Sequence, residues 1–186
     1  SSTHDGEEKF CAVVHKKLKT KHKNLITIII PRHIDRVEKI NKDFQKMGLK
    51  THLHEPTKKI NDNIDIYLVN TYGQTKAFFN LCKNVFLGGS IVPHGGQNPL
   101  EAARYGCSIL HGPNINNFSD IYAFLKKNKI SIKSNHTNSM VNNLEKLFLK
   151  KTKSKIIKRK IYVTGKKILH LTHKEINFFL NKNEIQ

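Results

Sequence analysis

The stretch FLGGSIVPHGGQNPLE, residues 86–101, decides the fold of this chain. The apolar run Asn84–Leu87 predicts a strand, and the glycines behind it let backbone approach a ligand without an intervening Cβ. Asn98 is a favourable N-cap, Pro99 suits the first helical position, and Glu101 stands where it can complete a capping box. A strand, a glycine loop and a helix start in succession form an anion site, because free N–H groups converge there. The stretch therefore predicts binding of a phosphorylated ligand.

On both sides of this stretch, apolar runs alternate with segments of helical periodicity. Leu25–Ile30 and Ile64–Val69 are continuous and rich in branched residues, as in strands buried on both faces of a parallel sheet. Further strands are predicted at Leu49–His54, Cys107–Leu110 and Ile130–Ser134, and helices at Glu7–Lys21, Ile34–Met47, Lys76–Cys82, Asn98–Tyr105, Val141–Leu149, Ile156–Leu180 and from Asn117 onward, with a polar loop at residues 55–63. Asp5 and Glu8 have the spacing of a capping box for the first helix.

This alternation predicts an α/β fold with a doubly wound, Rossmann-like parallel sheet. We expect the sheet domain over residues 1–150 and a helical C-terminal tail over residues 151–186. In such folds, ligands bind beyond the carboxyl ends of the strands. The expected site therefore lies at the edge of the sheet where the glycine loop begins.

Candidate ligand-binding residues follow three of the predicted strands. Arg32 can pair two oxygens of a phosphate at once, whereas Glu101 is better suited to accept hydrogen bonds from ribose hydroxyls. A sugar nucleotide combines these demands, although Asn98 and Glu101 could also serve only as a helix cap. The candidate residues are Pro31, Arg32, Tyr72, Gly73, Gln74, Gly89, Ser90, Asn98, Pro99, Leu100 and Glu101.

The segment GGSIVPHGGQNPLEAARYG, followed by GPNINNFSDI, resembles the signature of the Kdo (3-deoxy-D-manno-octulosonic acid) transferases of lipopolysaccharide synthesis. STHDGEE at the start of the chain and PRHIDRVEKI after the first predicted strand are similar to segments of the same family. The resemblance runs from Ser2 to Asp120. It implies the C-terminal, donor-binding half of a two-domain glycosyltransferase of the GT-B type, with one further strand before residue 1.

The resemblance implies CMP-Kdo as the donor and the lipid A precursor as the acceptor, with inversion at the sugar and without a metal or other cofactor. It implies that Arg32 contacts the donor nucleotide. Gly73 lies in a comparable contact segment, although Tyr72 and Gln74 depart from the family's pattern there. The family's catalytic glutamate lies in the N-terminal domain, so no residue of this chain is expected to be the catalytic base. The chain alone should therefore be inactive.

The charge balance predicts an anionic partner or surface. Lys and Arg number 33 against 14 Asp and Glu, a formal net charge of +19. The cytoplasmic face of the bacterial inner membrane is the implied location of the whole enzyme, and anionic lipid could attract this surface. Nucleic acid is not the expected partner, because the lysines are spread without aromatic interleaving. A donor domain for a UDP-sugar and a basic nucleic-acid module remain the alternative functions.

The remaining composition predicts a cytoplasmic protein without disulfides or metal. The three cysteines, Cys11, Cys82 and Cys107, are far apart and lack metal-ligand spacing. No apolar run approaches the ~20 residues that span a bilayer, and the first residues do not resemble a signal peptide. The chain by itself is expected to be soluble, and it could self-associate to cover the edge left by the strand before residue 1.

Overall fold

The computed structural model describes residues 1–57, 59–60, 63–151 and 153–183. Strands and helices alternate along the chain, as predicted. The strands are β1 (Thr27–Ile29), β2 (Thr51–Leu53), β3 (Ile66–Leu68), β4 (Asn84–Phe86), β5 (Ser108–His111) and β6 (Ser131–Lys133). The helices are α1 (Glu7–Lys19), α2 (Val37–Lys46), α3 (Thr75–Leu81), α4 (Leu100–Arg104), α5 (Ser119–Lys127), α6 (Thr137–Phe148) and α7 (Ser154–Asn183).

The strands form two parallel three-stranded sheets, which we call the first and the second half-sheet. The first has the order β1-β3-β2 and the second the order β4-β5-β6. Thr27 and Thr51 both pair with Ile66, and Ile109 pairs with Val85 and Ser131. All six strands therefore end at the same edge within their sheets, which is where ligands bind in this class of fold.

Helices cover both faces of both sheets, which confirms the doubly wound α/β fold. On one face, α1 packs against both sheets, with Ala12 in the core of the first and Leu18 in the core of the second. On the other face, α3 does the same through Phe78 and Phe79. These two helices hold the half-sheets side by side, because each contributes apolar side chains to both cores.

Residues Ser1–His4 join the two half-sheets at their carboxyl edge. The Thr3 N–H donates to Ile30 O at 3.3 Å, and Thr3 pairs with Pro31 as an isolated parallel bridge. On the opposite side, the Ser1 ammonium donates to Phe86 O at 2.7 Å, and the Gly88 N–H donates to Ser1 O at 2.9 Å. This segment therefore lies between the end of β1 and the end of β4, as a central strand would, at the carboxyl edge of both half-sheets.

Several element ends differ from the predicted ones. The predicted capping box of Asp5 and Glu8 is wrong, because Gly6, in the left-handed region with φ of 88°, precedes α1 and no side chain caps this helix. Helix α6 begins at Thr137 instead of Val141, because His136 and Ser139 form a capping box there. In the predicted loop over residues 55–63, positions 58, 61 and 62 lie outside the described residues.

The C-terminal tail is a single helix that begins against the domain and then leaves it. Ile157 and Ile161 of α7 are buried in the core of the second half-sheet. The Ser154 hydroxyl donates to Gly106 O at 2.7 Å. Beyond Ile161, the apolar side chains of α7 are exposed, among them Ile168, Leu169, Ile176, Phe178 and Phe179. Residues 184–186 of the predicted tail lie outside the described part of the chain.

Candidate functional site

The carboxyl edge of the first half-sheet carries Pro31 and Arg32. Pro31 is buried, and the Arg32 N–H donates to Thr3 O at 2.9 Å, which fixes the backbone just after β1. The Arg32 side chain is exposed and has no ion pair among the described residues. An unpaired guanidinium at this edge remains available to an anionic ligand.

The glycine loop after β4, defined here as residues 88–96, is held by the carboxylate of Glu7. Glu7 Oε2 accepts hydrogen bonds from the N–H groups of His4 at 2.9 Å and Gly89 at 2.7 Å. Its Oε1 accepts from Ser90 at 3.1 Å and Ile91 at 2.9 Å. The Glu7 side chain is fully buried. Four backbone N–H groups therefore satisfy this carboxylate, which has no side-chain partner among the described residues.

The loop amides have a different partner from the one that the sequence predicts. The sequence suggests that the amides of Gly89 and Ser90 are presented to a ligand phosphate, but both donate to Glu7 instead. The anion that these loop amides hold is the Glu7 side chain of α1. Gly88 is required in this packing, because a Cβ there would overlap Ser2 O and lie 2.7 Å from Glu7 Oε2.

Ser90 connects the glycine loop to the end of β5. Its hydroxyl donates to Leu87 O at 2.6 Å and accepts from the Gly112 N–H at 2.9 Å. Asn114 N–H donates to Ser90 O at 2.9 Å. Ser90 is fully buried, so its hydroxyl supports the rim and is not exposed to a ligand.

Histidines from three segments meet above the glycine loop. The rings of His4 and His94 stack with centroids 4.2 Å apart, and His33 meets His4 edge-on at 6.1 Å. Gln97 Nε2 lies 3.3 Å from His4 Nε2. Burial lowers the pKa of His4, and the neighbouring His94 lowers it further, so His4 tends to remain neutral and can accept a hydrogen bond.

Helix α4 begins at Leu100 with Pro99 as its N-cap, so the predicted start of the helix at Asn98, with Pro99 as its first helical residue, is wrong. Asn98 precedes the N-cap, and its Oδ1 accepts a hydrogen bond from the Leu100 N–H at 3.0 Å. The described residues contain no hydrogen bond from Glu101 to the Asn98 backbone, and the predicted capping box is therefore incomplete. The exposed Glu101 carboxylate is consequently not engaged in capping.

Tyr72, Gly73 and Gln74 follow β3, so the parallel topology puts them at the same edge as Arg32. Gly73 has a φ of 82°, which favours glycine, and Gln74 immediately precedes α3. Tyr72 is 63% exposed. These residues therefore form an exposed part of the rim beside β1.

The structure brings Arg32 and Asn98 to one rim through His4. His33, next to Arg32, and Gln97, next to Asn98, both contact the His4 ring. Sequence reasoning missed His4, Glu7, His94 and Gln97 as parts of the site. The only signal for the first two was their position in STHDGEE, since no side-chain pattern indicates a carboxylate bound by backbone amides.

Other chemistry is limited among the residues that the structure describes. Cys11, Cys82 and Cys107 are free thiols, and burial raises the pKa of Cys11 to about 12 and that of Cys107 to about 11. Within the described ranges, no group of three His, Cys, Asp or Glu side chains is disposed to hold a metal ion. None of the described helices combines the length and apolar character needed to cross a bilayer.

The fold and the rim define a Rossmann-like α/β domain. The C-terminal CMP-Kdo binding domain of WaaA from Acinetobacter baumannii shares this fold, with a TM-score of 0.78 and 22% identity over 87% of this chain and 84% of that one. The sequence is similar to 3-deoxy-D-manno-octulosonic acid transferases, so its curated relatives are glycosyltransferases.

Three of these relatives show how far the similarity extends. The Aquifex aeolicus enzyme is 27% identical over 164 residues, covering 88% of this chain and 45% of the relative. The enzyme of Haemophilus influenzae is 29% identical over 67% of this chain and 29% of the relative, and that of Rickettsia felis 32% identical over 71% and 28%. This chain thus spans less than half the length of the relatives. No family model matches it.

Proposed function

We propose that this chain is the donor-binding half of a Kdo transferase and holds CMP-Kdo at the rim formed by Arg32, the His4 cluster and the start of α4. The observation that carries the proposal is the convergence of His33 and Gln97 on His4, which brings Arg32 and Asn98 to one edge. The similarity to Kdo transferases over 67–88% of the chain supports the identity of the donor.

Different residues of the rim are suited to the phosphate, the ribose and the base of the nucleotide. Arg32 is the cation best suited to the phosphate, because its guanidinium is exposed and unpaired among the described residues. Glu101 and Asn98 can accept hydrogen bonds from ribose hydroxyls. The backbone on either side of the nucleotide is shaped by Pro31, Pro99 and Leu100. The base can contact the exposed part of the rim formed by Tyr72, Gly73 and Gln74. Gly89 and Ser90 act indirectly, since their amides hold Glu7.

The transfer step requires a second half. We propose that an N-terminal domain supplies the general base and the lipid A precursor, whose hydroxyl attacks the anomeric carbon of Kdo with inversion and expels CMP. This chain stabilises the charge that develops on the departing phosphate through Arg32 and neutral donors, without a metal. The chain alone should bind the donor weakly or not at all and should transfer nothing.

A CMP titration followed by NMR tests the proposal. We expect the Arg32, Gly73 and Glu101 amides to shift in fast exchange below about 10 mM CMP, because a dissociation constant near 1 mM requires only about 4.1 kcal/mol of binding free energy. Arg32→Ala should weaken CMP binding by about tenfold or more, since a hydrogen bond to a charged group contributes roughly 1.5–3 kcal/mol. Arg159→Ala, an exposed arginine on α7, is the matched control.

Competition separates the proposal from the alternatives. A CMP-Kdo site should prefer CMP to UDP, whereas equal or stronger binding of UDP would assign the domain to another sugar nucleotide. Binding of arbitrary DNA or RNA that weakens steeply with salt, with no shifts from CMP, would favour the nucleic-acid module instead.

We also propose that the basic surface and α7 bring the whole enzyme to the cytoplasmic face of the bacterial inner membrane. Exposed apolar residues such as Ile168 and Phe179 lie on the same helix as Lys166, Lys167 and Lys174. Each basic residue near an anionic surface contributes about 1 kcal/mol. Cosedimentation with anionic vesicles, lost on neutral vesicles and weakened by the pair Lys166→Glu and Lys167→Glu, tests this proposal.

A further inference from the structure

The histidine cluster above the glycine loop, which we define as His4, His33 and His94, has no part in the binding of phosphate, ribose and base described above. His33 and His94 are exposed, so the core does not need either ring. Among the described residues, no hydrogen bond reaches a ring nitrogen of His33 or His94. These two imidazoles are therefore free to contact a ligand.

Hydrogen bonds fix the backbone on which two of these rings are carried. The His4 N–H donates to Glu7 Oε2 at 2.9 Å. The Asn117 Nδ2 group donates to His94 O at 3.1 Å, and the Asn117 N–H donates to Gly95 O at 3.0 Å. A Cβ at Gly95 would lie 2.6 Å from the Asn117 side chain, so this contact requires glycine. The rings are thus held at the rim before any ligand binds.

The carboxylates near His4 are already engaged by other groups. Glu7 accepts four backbone hydrogen bonds, and Glu8 is paired with Arg36 at 2.9 Å. Both belong to α1, and they are the acidic groups whose charge acts on His4. The cluster therefore has no free carboxylate of the protein to balance an added positive charge.

The neighbouring rings oppose one another's protonation. The centroids of His4 and His94 are 4.2 Å apart, and those of His4 and His33 are 6.1 Å apart. Burial lowers the pKa of His4, and His94 and His33 lower it further, whereas Glu7 raises it. His4 thus stays neutral and does not compete for a proton with the exposed rings. An external anion is what would favour a charged imidazole here.

The proposed donor brings such an anion. Kdo is an octulosonic acid, so CMP-Kdo carries a carboxylate in addition to its phosphodiester, and both are ionised at neutral pH. The Arg32 guanidinium is suited to the phosphate. The carboxylate needs donors of its own, and His33 follows Arg32 directly in the chain.

We propose that His33 and His94 form the subsite for the carboxylate of the donor sugar, and that binding draws one proton from solvent onto these two imidazoles. This inference rests on the proposed function, since it assigns a further part of the same donor. His4 is a positioning residue, because it contacts both rings. The resulting charge-assisted hydrogen bond makes the site selective for a sugar acid over a neutral sugar.

NMR titrations of the chain at pH 6 and pH 8 test this subsite with two ligands. The first is CMP-Kdo, and the second is CMP methyl ester, which has the same phosphodiester charge but no carboxylate. CMP-Kdo should bind about tenfold more tightly at pH 6, because uptake of one proton changes an equilibrium constant by up to about tenfold per pH unit. The ester should change by less than about threefold, since it takes up no proton.

The pair His33→Gln and His94→Gln keeps side-chain donors but removes the groups that titrate. In this variant, CMP-Kdo should bind about tenfold more weakly at pH 6 and lose most of its pH dependence, because hydrogen bonds to a charged group are replaced by neutral ones. Binding of the ester should not change. His170→Gln, on the exposed part of α7, is the matched control and should follow the unchanged chain.

Three results would overturn the subsite. Equal pH dependence for both ligands would mean that the cluster responds to the phosphate, and full pH dependence in the paired variant would exclude His33 and His94. Either result leaves the binding of CMP at the rim intact. If neither ligand shifts any amide up to about 10 mM, the proposed function itself fails, and the subsite fails with it.

Discussion

Glu7 and Glu8 are neighbours on α1, both buried, yet they tie the helix to two different regions by different means. Glu7 holds the glycine loop of the second half-sheet through four backbone N–H groups. Glu8 holds the start of α2 through Arg36, whose Nη2 lies 2.9 Å from Glu8 Oε2 and 3.0 Å from Asp5 Oδ1. We call the second region the Arg36 cluster.

The two regions satisfy a buried carboxylate to different extents. Both oxygens of Glu7 accept two hydrogen bonds each, whereas Glu8 Oε1 is buried without a partner among the described residues. Burial alone would lower the pKa of Arg36, but the hydrogen bond and charge of Glu8 raise it above its ordinary value. A charge held by oriented backbone amides is thus more completely compensated than one held by a flexible side chain that is partly exposed.

Glu7→Gln should have the largest effect. The side-chain amide keeps the shape of Glu7 but puts an NH₂ group against two backbone N–H donors, which then lose their acceptor. Unsatisfied buried donors cost about 1–3 kcal/mol each, so we expect a loss of roughly 3 kcal/mol or more in the free energy of unfolding by urea. Glu38→Gln, on the exposed surface of α2, is the control. A loss below about 1 kcal/mol would show that the loop does not depend on the charge of Glu7.

Arg36→Ala should have the second largest effect, because it leaves the Glu8 carboxylate buried without a cation. Breaking a fully buried pair costs about 3–5 kcal/mol, and the partial exposure of Arg36 reduces our expectation to about 2 kcal/mol. Lys39→Ala is the control. It removes an exposed ammonium group that lies 3.8 Å from Asp5 Oδ1, and it should change the free energy of unfolding little. If both variants have equal stability, Glu8 is satisfied by solvent and the Arg36 cluster does not anchor α2.

The contrast also explains what could be read from the sequence. The α/β fold, the six strands and the position of the rim follow from apolar periodicity and from the strand, glycine loop and helix order at residues 84–101. The role of Glu7 does not follow from it, because a carboxylate bound by backbone amides depends on loop conformation and leaves no side-chain pattern. The division into two half-sheets was equally hidden, since it depends on which strand edges meet and not on any one strand's composition.

The pH dependence of stability should come in part from the Glu7 region, because His4 lies against the glycine loop. Burial, followed by the effect of His94, lowers the pKa of His4 below its ordinary value of 6.5. The unfolded chain then binds more protons near this pH. The stabilisation is fully present above pH 6.5 and is lost as the pH falls through the lower folded-state value.

Urea unfolding at pH 8 and pH 5.5 measures this dependence. We expect the His4→Gln variant to lose less stability between the two values than the unchanged chain. His170→Gln, on the exposed part of α7, should follow the unchanged chain. Buried His15 and His111, whose pKa values are also lowered by burial, keep part of the dependence in every variant. Equal slopes for His4→Gln and the unchanged chain would remove His4 from this account.

Asp5→Ala should have the smallest effect, although Asp5 contacts the same guanidinium as Glu8. Its side chain is 77% exposed, and its ion pair with Arg36 at 3.0 Å lies in water. Exposed pairs of this kind contribute less than about 1 kcal/mol, so the loss should be a small fraction of that for Arg36→Ala. The effect of Asp5→Ala should also vanish in 1 M salt, whereas that of Glu7→Gln should persist, because salt screens exposed pairs and not buried amide contacts. A salt-independent loss at Asp5 would mean that it orients Arg36 toward Glu8, and the two regions would then be organised more alike than their burial indicates.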